Sequence, residues 1–201
     1  MIFKQVFDTK SSTYTYIIAS AKGREAVIID PVVENVDSYI NLLNELDLKL
    51  VKVIDTHIHA DHITGATKLK QATNCSTIMG EHTPADAVEI KVKDDEIIKI
   101  DQIEIKAMYT PGHTSDSYSF LLDNFIFTGD TLLINGTGRT DFQNGSSKDA
   151  YNSLFNKLLK LPEETLVYPG HDYNGKFSST IGNEKRLNPR LQVKSVDEYI
   201  D

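Results

Sequence analysis

The sequence predicts an α/β fold of four layers, in which two packed β-sheets lie between outer helices. Three observations predict it. Short alternating or apolar segments typical of strands recur along the chain, segments with helical periodicity lie between some of them, and no repeat or linker divides the sequence. A length of 201 residues suits one α/β domain, so we interpret residues 1–201 as a single domain.

The first part of the chain predicts alternating strands and helices. Strands are predicted at 13–18, 25–30 and 50–55, and helices at 36–46 and 64–72. The first strand segment, TYTYII, alternates in polarity, whereas the second, EAVIID, is almost continuously apolar. Apolar residues of the first helix recur at helical spacing, which predicts one buried face.

The second part of the chain is richer in strands. Strand patterns occur at 76–79, 96–100, 103–110, 117–122, 125–130 and 166–169. Asp123 and Asn124 predict a tight hairpin turn between two of these segments. An amphipathic helix is predicted over 148–160 with Ser146 as its N-cap, and a last helix over 180–187.

Composition and charge restrict the class of protein. The formal net charge of −8 disfavours a nucleic-acid partner, because such a partner requires a basic surface. The single cysteine, Cys75, excludes an intramolecular disulfide, and we expect it to be a small buried apolar residue rather than a nucleophile. No apolar run is long enough to span a membrane, and the N-terminal segment lacks the apolar core of a signal peptide. We therefore expect a cytoplasmic protein.

The segment THIHADH at residues 56–62 carries three histidines and one aspartate directly after a predicted strand. In an extended chain, His57, His59 and Asp61 place their side chains on one face. His62 approaches the same space from another side if the chain turns there. Because imidazole is a common metal ligand, the cluster favours a metal site over a polar loop whose histidines bond to the backbone.

Three further segments each carry a histidine or an aspartate, residues that commonly bind metals, at the end of a predicted strand. TPGHT carries His113, TGD carries Asp130 and YPGHD carries His171. Strand ends in layered α/β folds converge on a common edge, where binding sites form. Each residue alone is more typical of a turn, but together with THIHADH the three favour one metal site. His82 lacks such a context and is expected at the surface.

These motifs resemble those of the metallo-β-lactamase superfamily, and longer segments resemble its persulfide dioxygenases, also called sulfur dioxygenases. The more specific segments are TGDTLLINGTGRTDFQNGSS at 128–147 and YPGHDYNGKFSSTIGNEKRLNPRL at 168–191. The resemblance extends from Phe3 to about Val193. It implies an αββα sandwich with the site at one edge of the sheets, and a structural role for Asp30 in supporting the motif loop.

The resemblance also implies one Fe(II) per chain and the oxidation of glutathione persulfide by O₂ to sulfite and free thiol. By motif, the iron ligands would be His57, His113 and Asp130, a set that leaves coordination positions open. Zinc is an expected alternative ion in recombinant protein. The other motif residues would surround the iron or hold a second metal; they are His59, Asp61, His62 and His171.

Glutathione brings two carboxylates, so its site is expected to contain cationic side chains. The candidates are Arg139, Lys176 and Arg190, since a guanidinium can hold a carboxylate through two hydrogen bonds. Tyr173 is expected to donate its hydroxyl near the metal-bound sulfur. The residues expected to take part in catalysis are Arg139, Tyr173, Asp61 and His171.

The main alternative is a hydroxyacylglutathione hydrolase, a thioester hydrolase of the same superfamily that uses two metal ions. Against it, the chain ends at Asp201 without room for the helical substrate domain usual in that group, and GRTDFQ favours the dioxygenases. A metal-free binding module predicts gaps among the ligand positions, and the sequence has none. For partners beyond substrate and O₂, we expect a homodimer and a functional link to a sulfurtransferase.

Overall fold

Two six-stranded β-sheets pack face to face in the computed structural model, which describes residues 1–200. Helices cover the outer face of each sheet. The αββα arrangement of four layers expected from the sequence is therefore confirmed. Its central layer is an apolar cluster in which fully buried rings of Tyr16, Phe120 and Phe127 pack between the sheets.

The strands of the first sheet lie in the order of the chain. They are β1 (Ile2–Asp8), β2 (Thr13–Ala19), β3 (Glu25–Ile29), β4 (Lys49–Ile54), β5 (Ser76–Gly80) and β6 (Ile90–Val92). Strands β1 to β3 pair antiparallel, whereas β3 to β6 pair parallel. The sequence patterns predicted the middle four strands and missed β1 and β6.

The second sheet is mostly antiparallel. Its strands in spatial order are β7 (Ile97–Ile100), β8 (Ile103–Tyr109), β9 (Tyr118–Leu122), β10 (Phe125–Gly129), β11 (Leu166–Pro169) and β12 (Ser179–Thr180). Strand β11 pairs parallel with β10, so both strands end at the same edge. The hairpin expected at Asp123 and Asn124 is confirmed, because these two residues connect β9 to β10 and Asp123 has a positive φ of 50°.

Five α-helices flank the sheets: α1 (Val36–Glu45), α2 (Ala66–Thr73), α3 (Ser147–Asn156), α4 (Ile181–Leu187) and α5 (Val196–Ile200). The first two pack on the first sheet and the other three on the second. Within residues 1–200, none of these helices combines the length and the apolar character needed to cross a bilayer.

The helix predicted over 148–160 begins as expected and ends early. The Ser146 side chain accepts a hydrogen bond from the Asp149 backbone N–H, as an N-cap should. The prediction of a continuous helix to residue 160 was wrong, because α3 ends at Asn156 and a short 3₁₀ turn follows. Lys157 leaves the helical conformation, and its ammonium donates to the Asp94 carboxylate at 2.6 Å.

Candidate metal centre

The segments predicted to carry metal ligands meet at one edge of the paired sheets. THIHADH follows β4, and the other three segments follow β8, β10 and β11. Backbone hydrogen bonds join them: the Gly170 N–H donates to the Gly129 carbonyl at 2.8 Å, and the Tyr118 N–H donates to the Thr56 carbonyl at 2.9 Å. Chain segments from both sheets thus hold the side chains in one place.

His57, His113 and Asp130 form a cluster that one ion could contact. The Asp130 Oδ2 atom lies 4.0 Å from His57 Nε2 and 3.5 Å from His113 Nε2. One ligand atom from each residue lies within 4.8 Å of the others. The three atoms are close enough to share an ion without being hydrogen-bonded to one another, which fits two imidazoles and one carboxylate around a metal.

Hydrogen bonds fix which ring nitrogen each histidine directs into this cluster. The His113 Nδ1–H donates to the Arg139 carbonyl at 2.8 Å, so Nε2 carries the lone pair. Thr56 Oγ1 donates to Asp30 at 2.9 Å and lies 2.9 Å from His57 Nδ1, so it accepts from that nitrogen. Both Nε2 atoms are therefore available to a cation, oriented by partners behind the rings.

The charges in the cluster also suit a metal. Burial and the neighbouring His59 lower the pKa of His57 to about 3, so its imidazole is neutral. Burial raises the pKa of Asp130, but the hydrogen bond and charge of His171 outweigh burial and hold this pKa below its ordinary value. The neutral imidazole of His57 thus faces a carboxylate that stays ionised.

His171 connects Asp130 to Asp61. Its Nδ1 lies 2.6 Å from Asp130 Oδ1, and its Nε2 lies 2.9 Å from Asp61 Oδ2. Burial lowers the pKa of His171, but hydrogen bonds to the two carboxylates outweigh burial and raise it to about 10. Without a metal, the ring is therefore a cation that donates to both aspartates.

A second group of ligand atoms lies beside the first. It consists of His59, Asp61 and His62, whose ligand atoms lie within 4.8 Å of one another. Among residues 1–200, the buried atoms His59 Nδ1 and His62 Nε2 have no hydrogen-bond partner. Buried polar atoms left unpaired cost free energy, and a bound ion or its water ligands would remove that cost. These three residues could therefore bind the water ligands of a single metal ion, or they could bind a second metal ion.

Asp30 holds the start of the THIHADH segment through hydrogen bonds, as the resemblance implied. Its carboxylate is buried and accepts hydrogen bonds from the Thr56 N–H at 2.7 Å and the Thr56 hydroxyl at 2.9 Å. It also lies 3.2 Å from His59 Nε2. The structural role expected for Asp30 is confirmed.

Two of the predicted substrate residues lie beside the metal cluster. The Tyr173 ring is parallel to the His171 ring at a centroid distance of 6.2 Å, and Tyr173 is 72% exposed. Arg139 contacts the cluster through its backbone carbonyl rather than through its guanidinium. The guanidinium instead donates to the Asp141 carboxylate at 2.7 and 2.9 Å.

The other two predicted substrate residues are placed differently. Lys176 lies in the loop after His171, where its backbone N–H donates to Asp172 at 2.7 Å and its side chain is exposed. The Arg190 guanidinium lies 4.8 Å from the centre of the Tyr199 ring and donates to the Tyr199 carbonyl at 3.2 Å. Among the described residues, the Arg190 guanidinium contacts α5 and not the metal cluster.

Thr13 is a site residue that the sequence patterns missed. Its hydroxyl lies 3.1 Å from His171 Nε2, 3.3 Å from Asp61 Oδ2 and 3.4 Å from His62 Nδ1. It therefore contacts three motif residues at once. The only sequence signal was a hydroxyl residue at the start of a predicted strand, which is common in proteins without metal sites.

The expected burial of Cys75 and exposure of His82 are confirmed. Cys75 is 2% exposed and packs with the apolar cluster under α1 and α2. His82 is exposed, and its ring stacks on Tyr109 at a centroid distance of 4.0 Å. Neither residue belongs to the metal cluster.

Comparisons with known proteins agree with this geometry. A family model described as the metallo-beta-lactamase superfamily matches residues 8–89 and 80–171. The chain is 40% identical to persulfide dioxygenase ETHE1, mitochondrial, of Mus musculus over 203 residues, which cover 100% of this chain and 79% of that protein. It is 34% identical to a hydroxyacylglutathione hydrolase of Dictyostelium discoideum over 184 residues, covering 85% of this chain and 67% of that protein.

A solved structure agrees over the full chain. The crystal structure of ETHE1 from Myxococcus xanthus matches with a TM-score of 0.97 at 48% sequence identity, covering 100% of this chain and 88% of that one. The identity to ETHE1 is higher than the identity to the hydrolase and extends over more of the chain. The chain belongs to the metallo-β-lactamase superfamily and, within it, to the persulfide dioxygenases.

Proposed function

We propose that this chain binds one iron(II) ion through His57, His113 and Asp130 and oxidises glutathione persulfide, or a similar low-molecular-weight persulfide, with O₂. One persulfide, one O₂ and one water give one thiol, one sulfite and two protons. The observation that carries the proposal is the pair of Nε2 lone pairs that face the ionised Asp130 carboxylate. Similarity to persulfide dioxygenase ETHE1 over the whole chain supports the reaction type.

The residues around the ligands keep them in one orientation. A bound iron(II) ion with two imidazoles and one carboxylate keeps open positions and supplies redox chemistry with O₂. Thr56 and the Arg139 carbonyl hold the two histidine rings by their Nδ1 atoms. His171 binds Asp130 Oδ1 and leaves Oδ2 directed at the histidines, so the ligand set does not have to rearrange when an ion enters.

We place the glutathione part of the substrate on the side of the cluster that carries Arg139, Tyr173 and Lys176. Tyr173 and Lys176 belong to the loop after His171, and Arg139 follows Asp130. These residues offer two cations and a hydroxyl to a ligand with two carboxylates. Because the Arg139 guanidinium is bound by Asp141, a substrate carboxylate would have to displace Asp141.

A thioester hydrolase with two metals is the second candidate function. The observation that favours it is the group of His59, Asp61 and His62, with two buried nitrogens that lack partners among the described residues. If a second ion binds there, a water between two ions could attack a thioester. The greater similarity to the dioxygenases favours a centre with one metal ion.

Location and assembly are part of the proposal as well. We propose a cytoplasmic protein, although the mouse relative is named as mitochondrial. A homodimer and a functional link to a sulfurtransferase, which would supply persulfide sulfur, complete the proposal.

The experiment that tests the function compares two substrates on anaerobically iron-loaded protein. With glutathione persulfide we expect O₂ uptake and sulfite in equal amounts, and with S-lactoylglutathione neither O₂ uptake nor hydrolysis. Zinc-loaded protein is the control and should consume no O₂, because zinc has no redox chemistry. Thioester hydrolysis without persulfide-dependent O₂ uptake would contradict the proposal and support the hydrolase.

A further inference from the structure

A half-open cavity of about 370 Å³ with many apolar lining residues lies against the histidine motif. It shares His57 with the metal cluster, and His59 and His62 with the second group of ligand atoms. None of its lining residues comes from the segments that carry His113, Asp130 or His171, and neither Arg139 nor Tyr173 lines it. The cavity therefore reaches a proposed iron ligand from a different direction than the proposed glutathione residues do.

Apolar side chains make up about half of the cavity wall, and three histidines, three threonines and Asp55 complete it. Its apolar side chains come from the motif loop, from α2, from β5 and from the loop between β5 and β6; they include Ile58, Ile63, Ala66, Met79, Ala85 and Val88. The cavity is lined by no lysine or arginine. The Asp55 carboxylate in its wall already accepts a hydrogen bond from the Thr64 hydroxyl, whose oxygen lies 2.8 and 2.9 Å from the two carboxylate oxygens.

The two reactants of the proposed reaction differ in the surroundings they need. A glutathione persulfide carries anionic groups, and moving them into an apolar space without a cation costs free energy. Dioxygen is small and uncharged and requires no hydrogen bond. Apolar cavities with few partners for water take up uncharged guests such as xenon. A wall without lysine or arginine thus favours dioxygen over the anionic thiol.

Three imidazole rings line the side of the cavity that faces the metal cluster. The ring centroids of His57 and His59 lie 4.3 Å apart, and those of His59 and His62 also lie 4.3 Å apart. All three rings line the cavity, and His57 directs Nε2 towards Asp130. A guest in the cavity therefore contacts the ring of a proposed iron ligand.

We propose that this cavity collects dioxygen and delivers it to the metal cluster, while the thiol substrate approaches from the side of Arg139 and Tyr173. The inference rests on the proposed function, because only an oxygen-consuming enzyme needs such a route. It adds a binding site for an apolar gas and assigns the two substrates to separate approaches.

The first test detects dioxygen in the cavity without turnover. In zinc-loaded protein under O₂ pressure, paramagnetic dioxygen increases the relaxation rates of nearby methyl protons. We expect the methyl groups of Ile78 and Met79, which line the cavity, to show a several-fold larger increase than those of Ile126 and Leu154, which are also buried and lie outside it. Equal increases at the four residues would overturn the proposal.

The second test fills the cavity in iron-loaded protein. Ala85→Phe and Ala87→Phe should lower kcat/KM for O₂ several-fold while the KM for glutathione persulfide stays unchanged. The matched control is Ala72→Phe, on the exposed surface of α2 and outside the cavity, which should change neither constant. The smaller change Ala85→Leu is the second variant, and thermal unfolding and iron content verify that each variant is folded and loaded.

The outcomes separate this inference from the proposed function. A raised KM for persulfide with an unchanged kcat/KM for O₂ would show that the cavity holds the thiol and would overturn the inference. Unchanged constants in all filled variants would also overturn it. Absence of persulfide-dependent O₂ uptake by the wild-type enzyme would instead contradict the proposed function, and the dioxygen route would fall with it.

Discussion

His171 Nδ1 lies 2.6 Å from Asp130 Oδ1, so a buried histidine outside the ligand triad holds the carboxylate of the triad in place. The same ring reaches Asp61 through Nε2 at 2.9 Å. Asp130 can therefore present Oδ2 to an ion together with His57 and His113, and its orientation depends on a residue that follows a different strand.

The first prediction concerns this positioning residue. His171→Asn should retain much of the iron but lower the rate of O₂ uptake by about 10–100-fold, as observed for groups that orient metal ligands. Iron content measured beside activity tests it, and His82→Asn is a matched control at an exposed histidine. If His171→Asn empties the site as fully as His57→Ala does, His171 is itself a metal ligand.

The second prediction concerns stabilisation by the metal. An ion that binds only the folded chain stabilises it by about 2.7 kcal/mol when present at a hundredfold excess over its Kd. Removing the ion with a chelator should therefore lower the Tm, because the folded chain loses the binding free energy of the ion. His57→Ala serves as the control, and its Tm should respond little to the chelator. An equal response in the two proteins would mean that the stabilising ion is bound elsewhere.

The third prediction concerns the ion pair between Arg139 and Asp141. If Arg139 binds a glutathione carboxylate, Arg139→Gln should lower kcat/KM for the persulfide by roughly tenfold or more, since it removes a charge-assisted hydrogen bond. Asp141→Asn should lower the KM, because it frees the guanidinium from its present partner. Steady-state kinetics of both variants and of Arg139→Lys provide the test. Unchanged kcat/KM in Arg139→Gln would remove Arg139 from the substrate site.

The fourth prediction concerns acid stability near Thr13. Burial raises the pKa of Asp8, but hydrogen bonds from Ser11, Asn35 and the Lys10 backbone outweigh burial and hold this pKa below its ordinary value of 3.8. A depressed pKa in the folded state contributes stability above pH 3.8, and this contribution is lost as the pH falls through the folded-state pKa. Asp8→Asn should therefore destabilise the protein by about 1–2 kcal/mol at neutral pH.

Urea unfolding at pH 7 and near pH 3 tests this expectation. The difference in unfolding free energy between wild type and Asp8→Asn should shrink as the pH is lowered. A difference that is the same at both pH values would show that the Asp8 charge contributes nothing. The segment from Asp8 to Ser11 is linked to the metal site, because Ser11 Oγ lies 2.8 Å from Thr13 Oγ1, and Thr13 contacts His171.

Most strands could be predicted because they bury one or both faces in a regular pattern. Strand β1 could not be predicted, because its apolar residues pack against two different apolar clusters, one on each face of the first sheet. Phe3 packs between the sheets, whereas Ile2 and Val6 pack on the cluster under the first helices. Neighbouring apolar residues on opposite faces hide the alternation that marks a strand. Strand β6 was missed because Ile90–Val92 is too short to show any period.

The motif residues of the site could be predicted because imidazoles and carboxylates at strand ends carry a chemical signal. The residues that hydrogen-bond to these motif residues could not be predicted. Thr13 reaches His171 through a tertiary contact, and nothing in the neighbouring sequence distinguishes it from other threonines. The sequence also did not indicate that Arg139 contacts His113 through its carbonyl while its guanidinium binds Asp141.

The most direct test of the proposed centre is anomalous diffraction at the iron absorption edge from crystals of anaerobically iron-loaded, active protein. We expect one iron peak per chain, bonded to His57 Nε2, His113 Nε2 and Asp130 Oδ2. Two metal peaks, or a single peak among His59, Asp61 and His62, would contradict the mononuclear centre.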